Sequence, residues 1–277
     1  MSDDIEKILN KSDTDVINYV KQKHYTLSDS HIHKLIDKNN PDINDILVSP
    51  LLQYKLNEKH IDKLANTNNP DLVKKLSHLK LSKENVDNIF KNHGDNISVM
   101  QHFSQSTKNL GKSHIQTLID TNDKKINTNL INNSSTFLDK DHIDSIIKQG
   151  DHSVIDNLIN RRKLQDSHIN DLVAKKDPII NKSLIKAIPN TLYPHANNTL
   201  SDENIHTIIS SNDEHNNRLL INNRKIKLQK SHIDVLRKIN TPVLNAALSK
   251  KYNKLLEWAI TETKFEKLLI ESLVKNY

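Results

Sequence analysis

The sequence predicts an all-α protein, an α-solenoid of about eight helical hairpins, on three observations. A ten-residue phrase recurs eight times: LSDSHIHKLI from Leu27, LNEKHIDKLA from Leu56, LSKENVDNIF from Leu81, LGKSHIQTLI from Leu110, LDKDHIDSII from Leu138, LQDSHINDLV from Leu164, LSDENIHTII from Leu200 and LQKSHIDVLR from Leu228. The starts lie 25 to 29 residues apart, with one interval of 36. A period of this size marks a stacked repeat array. Inside each phrase the apolar residues fall at helical spacing, and behind it a capping residue, in four cases followed by proline, announces a second helix.

In chain order, residues 1–26 form a degenerate N-terminal helical cap, with Ile5, Ile8 and Leu9 and then Val16, Ile17 and Val20 as its apolar pairs. Residues 27–249 are the solenoid. In the hairpin opened by Leu27, Ser28 caps the first helix, and Leu27, Ile32, Leu35 and Ile36 share one face. Leu56, Ile61, Leu64 and Ala65 repeat the pattern, as do Leu138, Ile143, Ile146 and Ile147. A helix of about ten residues is marginal alone in water and must be held by packing. Asn40-Pro41, Asn69-Pro70, Asp177-Pro178 and Thr241-Pro242 each place a cap before a first-turn proline. Apolar residues follow: Ile43, Ile46 and Leu47; Leu72, Val73 and Leu76; Ile179, Ile180 and Leu184. The insertion from Ile188 to Asn198 reads as a surface loop. Residues 250–277, with Leu255, Leu256, Trp258, Phe265, Leu268 and Leu269, form the C-terminal cap, and Arg237 replaces an apolar residue near that end.

The chain has no cysteine, which removes disulfides, thiolate metal sites and cysteine nucleophiles. Its three glycines, at 94, 111 and 150, are scattered, so it has no glycine-rich phosphate loop. No apolar run approaches the roughly 18 to 20 residues of a membrane span, and the start MSDDIEKILNKSD is unlike a secretory signal. The expectation is a soluble, cytoplasmic protein without membrane contact or cofactor.

His31, His60, His114, His142, His168 and His232 share one position of their phrases, which Asn85 and Asn204 fill elsewhere. Asparagine matches the hydrogen bonding of neutral imidazole but is a poor zinc ligand, and rings about 10 Å apart on neighbouring helices cannot share an ion. The position is the third of the helix, where a side chain reaches back to the cap backbone. A structural role is expected, and no metal.

The net charge is +6, and nearly all of that excess lies within three residues of the opening leucines. Lys55, Lys59, Lys80, Lys83, Lys108 and Lys112 contribute, then Arg161, Arg162, Lys163, Lys225, Lys227 and Lys230, with Arg224 just outside. Stacked hairpins bring these residues to one edge, interrupted by Asp139, Asp141, Asp202 and Glu203. Lysine in a first helical turn opposes the macrodipole, which makes its recurrence there suggestive. A basic edge suits duplex phosphates, and aromatic interleaving for unpaired bases is absent.

The phrase L-[ST]-x-x-H-[IV]-x-x-[LI]-[IV] resembles the short, degenerate HEAT-like repeats, close to the leucine-rich-repeat-variant type, of bacterial and bacteriophage proteins. The resemblance spans residues 27–250 and implies a helical array; the cysteine cluster of some of those proteins has no counterpart here. The opening also loosely resembles the repeats of transcription-activator-like effectors. Those units are longer and carry paired glycines where this chain has Lys38-Asn39-Asn40-Pro41, so no base code is carried over. The first expectation is a non-enzymatic scaffold that binds another protein, a phage or viral component with a virion location among its settings. The second is sequence-independent duplex DNA binding through Lys80, Lys83, Lys108, Lys112, Arg161, Arg162, Lys163, Arg224, Lys225, Lys227 and Lys230. A repeat-fold nucleic-acid enzyme, similar in shape to HEAT-like DNA glycosylases, is a distant third.

Overall fold

The computed structural model describes residues 7–67, 69–106, 110–188 and 198–252. Ile5, Asn68, Lys108, positions 189–197 of the insertion and the apolar residues of the C-terminal cap from Leu255 onward lie outside the described residues. Within the described residues the chain is all-helical, with sixteen α-helices described end to end, two short 3₁₀ turns, further helical residues at 7–9 and 242–252, and no strand. It divides into two compact units, Met1–Gln149 and Gly150–Tyr277.

The first unit holds α1 (Asp13–Lys23), α2 (Asp29–Asp37), α3 (Pro41–Leu47), α4 (Glu58–Ala65), α5 (Pro70–Leu76), α6 (Lys83–His93), α7 (Ile97–Ser106), α8 (Lys112–Asp120), α9 (Lys124–Asn132) and α10 (Lys140–Gln149). The second holds α11 (His152–Arg161), α12 (Asp166–Ala174), α13 (Pro178–Lys186), α14 (Asp202–Ser210), α15 (Glu214–Asn222) and α16 (Lys230–Ile239), with 242–252 also helical. Helices two apart pack together in sequence order. In the first unit α1, α3, α5, α7 and α9 form one such series, while α2 packs on α4, α4 on α6 and α8 on α10. In the second, α11, α13 and α15 follow one another, as do α12, α14 and α16. Hairpin partners such as α2 with α3, α4 with α5 and α14 with α15 also touch. Each unit is therefore a two-layer helical stack, consistent with an α-solenoid.

Local chemistry explains the boundaries. Ser28, Asn57, Ser82, Asp139 and Ser201 each accept the third backbone N–H of the helix they precede. Asn40, Asn69 and Asp177 each accept two N–H groups ahead of a proline-led helix. The turn out of a first helix needs a left-handed residue, and Asn39, Asn122, Lys176, Asn212 and Asn240 supply it with φ of 48–59°. Asparagine tolerates that region better than other side chains, so Lys176 is the strained member of the set.

The core is thin and continuous within each unit. Leu35, Leu64, Ile89 and Leu118 from the first helices meet Leu47, Leu72, Leu76 and Leu130 from the second, all fully buried. Two apolar expectations need correction. Ile179, the second residue of α13, is 54% exposed, and Ile180, Leu184 and Ile185 do the packing. Leu27, Leu81, Leu138 and Leu164 are buried, but the opening leucines at 56, 110, 200 and 228 are only half-buried.

Candidate functional site

The connection between one hairpin and the next is where chemistry gathers. Its fixed element is the histidine column. Nδ1 of His31, His60, His114, His142, His168 and His232 accepts the backbone N–H of the cap residue three positions earlier, at 3.1–3.3 Å. Nε2 of His60, His142 and His232 then donates to the carbonyl of Asp29, Lys112 and Asp202 in the preceding first helix, at 3.3, 3.1 and 3.0 Å. A ring that accepts an N–H at Nδ1 and donates to a carbonyl at Nε2 is one specific neutral tautomer. Asn85 makes the same two bonds with an amide, from the Ser82 N–H and to the Glu58 carbonyl, both at 3.2 Å. The expected reach to the cap backbone is thus present, with a second bond that ties consecutive first helices together. His114 instead turns Nε2 onto the Asp87 carboxylate at 2.6 Å.

The column does not bring its own rings together, but it brings two of them to a histidine outside the column, His60 to His33 and, more loosely, His232 to His206. His60 is buried against His33 of the preceding helix, ring centroids 4.3 Å apart, with the Asp29 carboxylate 3.3 Å from its Nε2. Burial, and then the neighbouring His33, hold the His60 imidazole below its ordinary value. Asp29 and His33 were not among the sequence candidates. Their signal is the D-x-x-x-H spacing within one helix, together with a ring in the next phrase.

The basic candidates divide by environment. Lys80 and Lys83 are exposed in the first unit, Lys83 as the first residue of α6. Lys112, the first residue of α8, is bound at 2.8 Å to Asp139 and at 3.0 Å to Asp141. Those bonds, Asp139 first, raise its ammonium above the usual lysine value. Lys55 is spent on backbone, donating to the Tyr25 and Leu27 carbonyls at 2.8 and 3.1 Å. In the second unit Arg161 and Arg162 are half-buried, Arg161 donating to Asn157 at 3.0 Å, and burial lowers the Arg162 guanidinium; Lys163 is exposed. Arg224, Lys225, Lys227 and Lys230 are all exposed and make no ion pair among the described residues. Lys108 lies outside the described residues.

Large aromatic side chains occupy the same connections. Tyr25 and Tyr54 stand two residues before an opening leucine and are 61% and 66% exposed, and Phe137, one residue before Leu138, is 79% exposed. Single aromatics do not break a repeat pattern, so the repeats alone do not single them out. Their signal was their register against the opening leucine. No described helix is long and apolar enough to cross a membrane. Comparison with family models, with curated proteins and with solved structures gives no match to this chain.

Proposed function

We propose that this chain is a non-enzymatic helical-repeat scaffold that binds another protein. In this reading it consists of eight hairpin repeats of about 28 residues between divergent caps, of the short HEAT-like kind found in bacterial and bacteriophage proteins. The observation that carries the binding proposal is the exposure of Tyr25, Tyr54 and Phe137 at the hairpin connections of the first unit. Aromatic side chains are enriched among the residues that dominate protein–protein binding, and burying one removes a large apolar area from water. On the same unit Lys112 already holds two carboxylates and Lys55 two carbonyls, which leaves less free charge for phosphate. The test is capture from a host extract at about 0.3 M salt, where exposed charge pairs are screened. A discrete partner is expected with the natural chain and not with a Tyr25→Ser/Tyr54→Ser/Phe137→Ser variant of unchanged helicity. An identical bound set with that variant contradicts the proposal.

A second reading rests on a different observation. Arg224, Lys225, Lys227 and Lys230 place four exposed cations without ion pairs in seven residues of the second unit. They suit the phosphates of a DNA duplex, with affinity that falls steeply between about 50 and 200 mM salt. Fluorescence anisotropy with a random-sequence duplex tests this reading. Replacing the four by glutamine is expected to abolish low-salt binding, and binding that is salt-insensitive or unchanged by the replacement contradicts it.

A further inference from the structure

We propose that Asp29, His33 and His60 form a binding site for one divalent first-row transition ion, with Zn²⁺ as the reference case. The three come from consecutive first helices. Asp29 and His33 are four residues apart on α2 and so lie on one face, one turn above the other. His60 is the third residue of α4, which packs on α2. The ligand atoms of the three side chains all lie within 4.8 Å of one another. The Asp29 carboxylate is 3.3 Å from His60 Nε2 and 3.7 Å from His33 Nε2. A tetrahedral ion about 2.0–2.1 Å from each ligand sets ligand atoms roughly 3.4 Å apart. The two short contacts use different carboxylate oxygens, Oδ1 toward His60 and Oδ2 toward His33, so a small turn of the carboxylate brings one oxygen to both rings. His33, half-exposed, has room to close the edge between the two rings. Two imidazoles and a carboxylate are a ligand set that zinc and its neighbours favour, with a fourth position left for water.

The stapling bonds of the column need only the His60 ring and backbone groups, so they do not account for His33. The sequence supplies an independent observation. At the His33 position the other phrases carry Asp62, Asp87, Gln116, Asp144, Asn170 and Asp234, and only one has histidine there, His206. That histidine again follows an aspartate by four residues, Asp202, and again meets a column ring from the next first helix, His232. The same three residue types therefore recur at the same three positions, once in each unit. The second set is wider, with ring centroids 6.4 Å apart against 4.3 Å. The tight set is the one assigned to the ion.

Binding has a defined chemical consequence. Nδ1 of His60 accepts the Asn57 N–H, so its proton sits on Nε2 and points at Asp29. An ion at Nε2 displaces that proton to Nδ1 and ends both the Asn57 N–H bond and the Nε2 bond to the Asp29 carbonyl. The Asn57 side chain, which accepts the His60 N–H at 3.0 Å, keeps the helix capped.

The test is titration of the full chain with Co²⁺, followed by its d–d absorption, and then displacement by Zn²⁺. One equivalent with tetrahedral or five-coordinate bands is expected. His33→Ala and Asp29→Asn are each expected to weaken affinity by about 100-fold or more, since loss of a ligand exceeds the usual effect of an outer-shell change. His206→Ala is expected to leave the signal unchanged. Both replaced side chains of the tight set are partly exposed, so far-UV circular dichroism should match the natural chain. Absence of a d–d signal from the natural chain, or an undiminished one from His33→Ala and Asp29→Asn, overturns the proposal.

Discussion

The two compact units share amide links between successive hairpins, and the first adds lysine–aspartate pairs to them. In residues 1–149 exposed or half-buried lysine–aspartate pairs reach from one hairpin to the next. Lys38 meets Asp13, Lys63 meets Asp37, Lys75 meets Asp45 at 2.6 Å, and Lys112 meets Asp139 and Asp141. Asparagine amides link to backbone in both units, Asn85 and Asn129 donating to the Glu58 and Gln101 carbonyls in the first, and they carry much of the linkage in residues 150–277. Asn198 accepts the Leu164 N–H at 2.8 Å and donates to the Ile159 and Arg162 carbonyls, Asn216 donates to the Pro178 carbonyl, and Asn223 to those of Ile185 and Ile188. The apolar stripe and the column at the third helical position are common to both units. Polar linkage is therefore the variable layer, and it decides which cations are spent on structure and which stay at the surface.

The strength of that contrast can be measured. Asn198 is buried and serves three backbone groups, so Asn198→Ala is expected to cost about 3 kcal/mol in urea unfolding, the sum of several buried groups left without partners. The counterpart in the first unit, Asp45→Asn, removes an exposed ion pair and is expected to cost at most about 1 kcal/mol. Equal costs would erase the distinction between the two linkages.

Acid should act on the column next. Burial and His33 hold the folded-state His60 below its ordinary 6.5, so as pH falls the unfolded chain takes up this proton first. The stability tied to His60 is complete above about pH 6.5 and is lost as pH falls from there toward the lowered folded value; Asp29 opposes the shift, and Lys63 adds to it. His60→Asn should keep the fold, because Asn85 already makes both bonds with an amide, and it should remove this share of the acid sensitivity. Urea midpoints at pH 5 and pH 7.5 for the two chains give the comparison.

Smaller effects sharpen the account of the turns and caps. Lys176→Gly relieves a left-handed lysine and should stabilise by about 0.5–1 kcal/mol, read as a raised melting temperature. Gly111→Ser adds a side-chain cap to α8 and should gain a few tenths of a kcal/mol. A β-carbon there meets His114 Nδ1 at 3.5 Å, an ordinary contact.

Much of this architecture was legible because it is encoded locally. Caps, first-turn prolines and apolar spacing lie within ten residues of one another, and they placed both helices of nearly every hairpin. The reach of the column histidine to its cap was legible for the same reason. Contacts between hairpins were not. Lys112 reads as a free first-turn cation until the next hairpin sets Asp139 and Asp141 beside it, and Arg162 reads as exposed although the fold half-buries it. The pairing of His33 with His60 spans 27 residues and depends on the helical phase of both first helices, which a column drawn through equivalent positions does not capture.

The most direct test of the central claim places a photo-crosslinking amino acid at Tyr54 in one chain and at Ile179, an exposed apolar residue of the second unit, in another, and irradiates each in host extract. A protein-binding edge on the first unit predicts one discrete protein adduct from position 54, stable at about 0.3 M salt and absent from position 179. Adducts of equal yield and identity from both positions, or none from position 54, would contradict it.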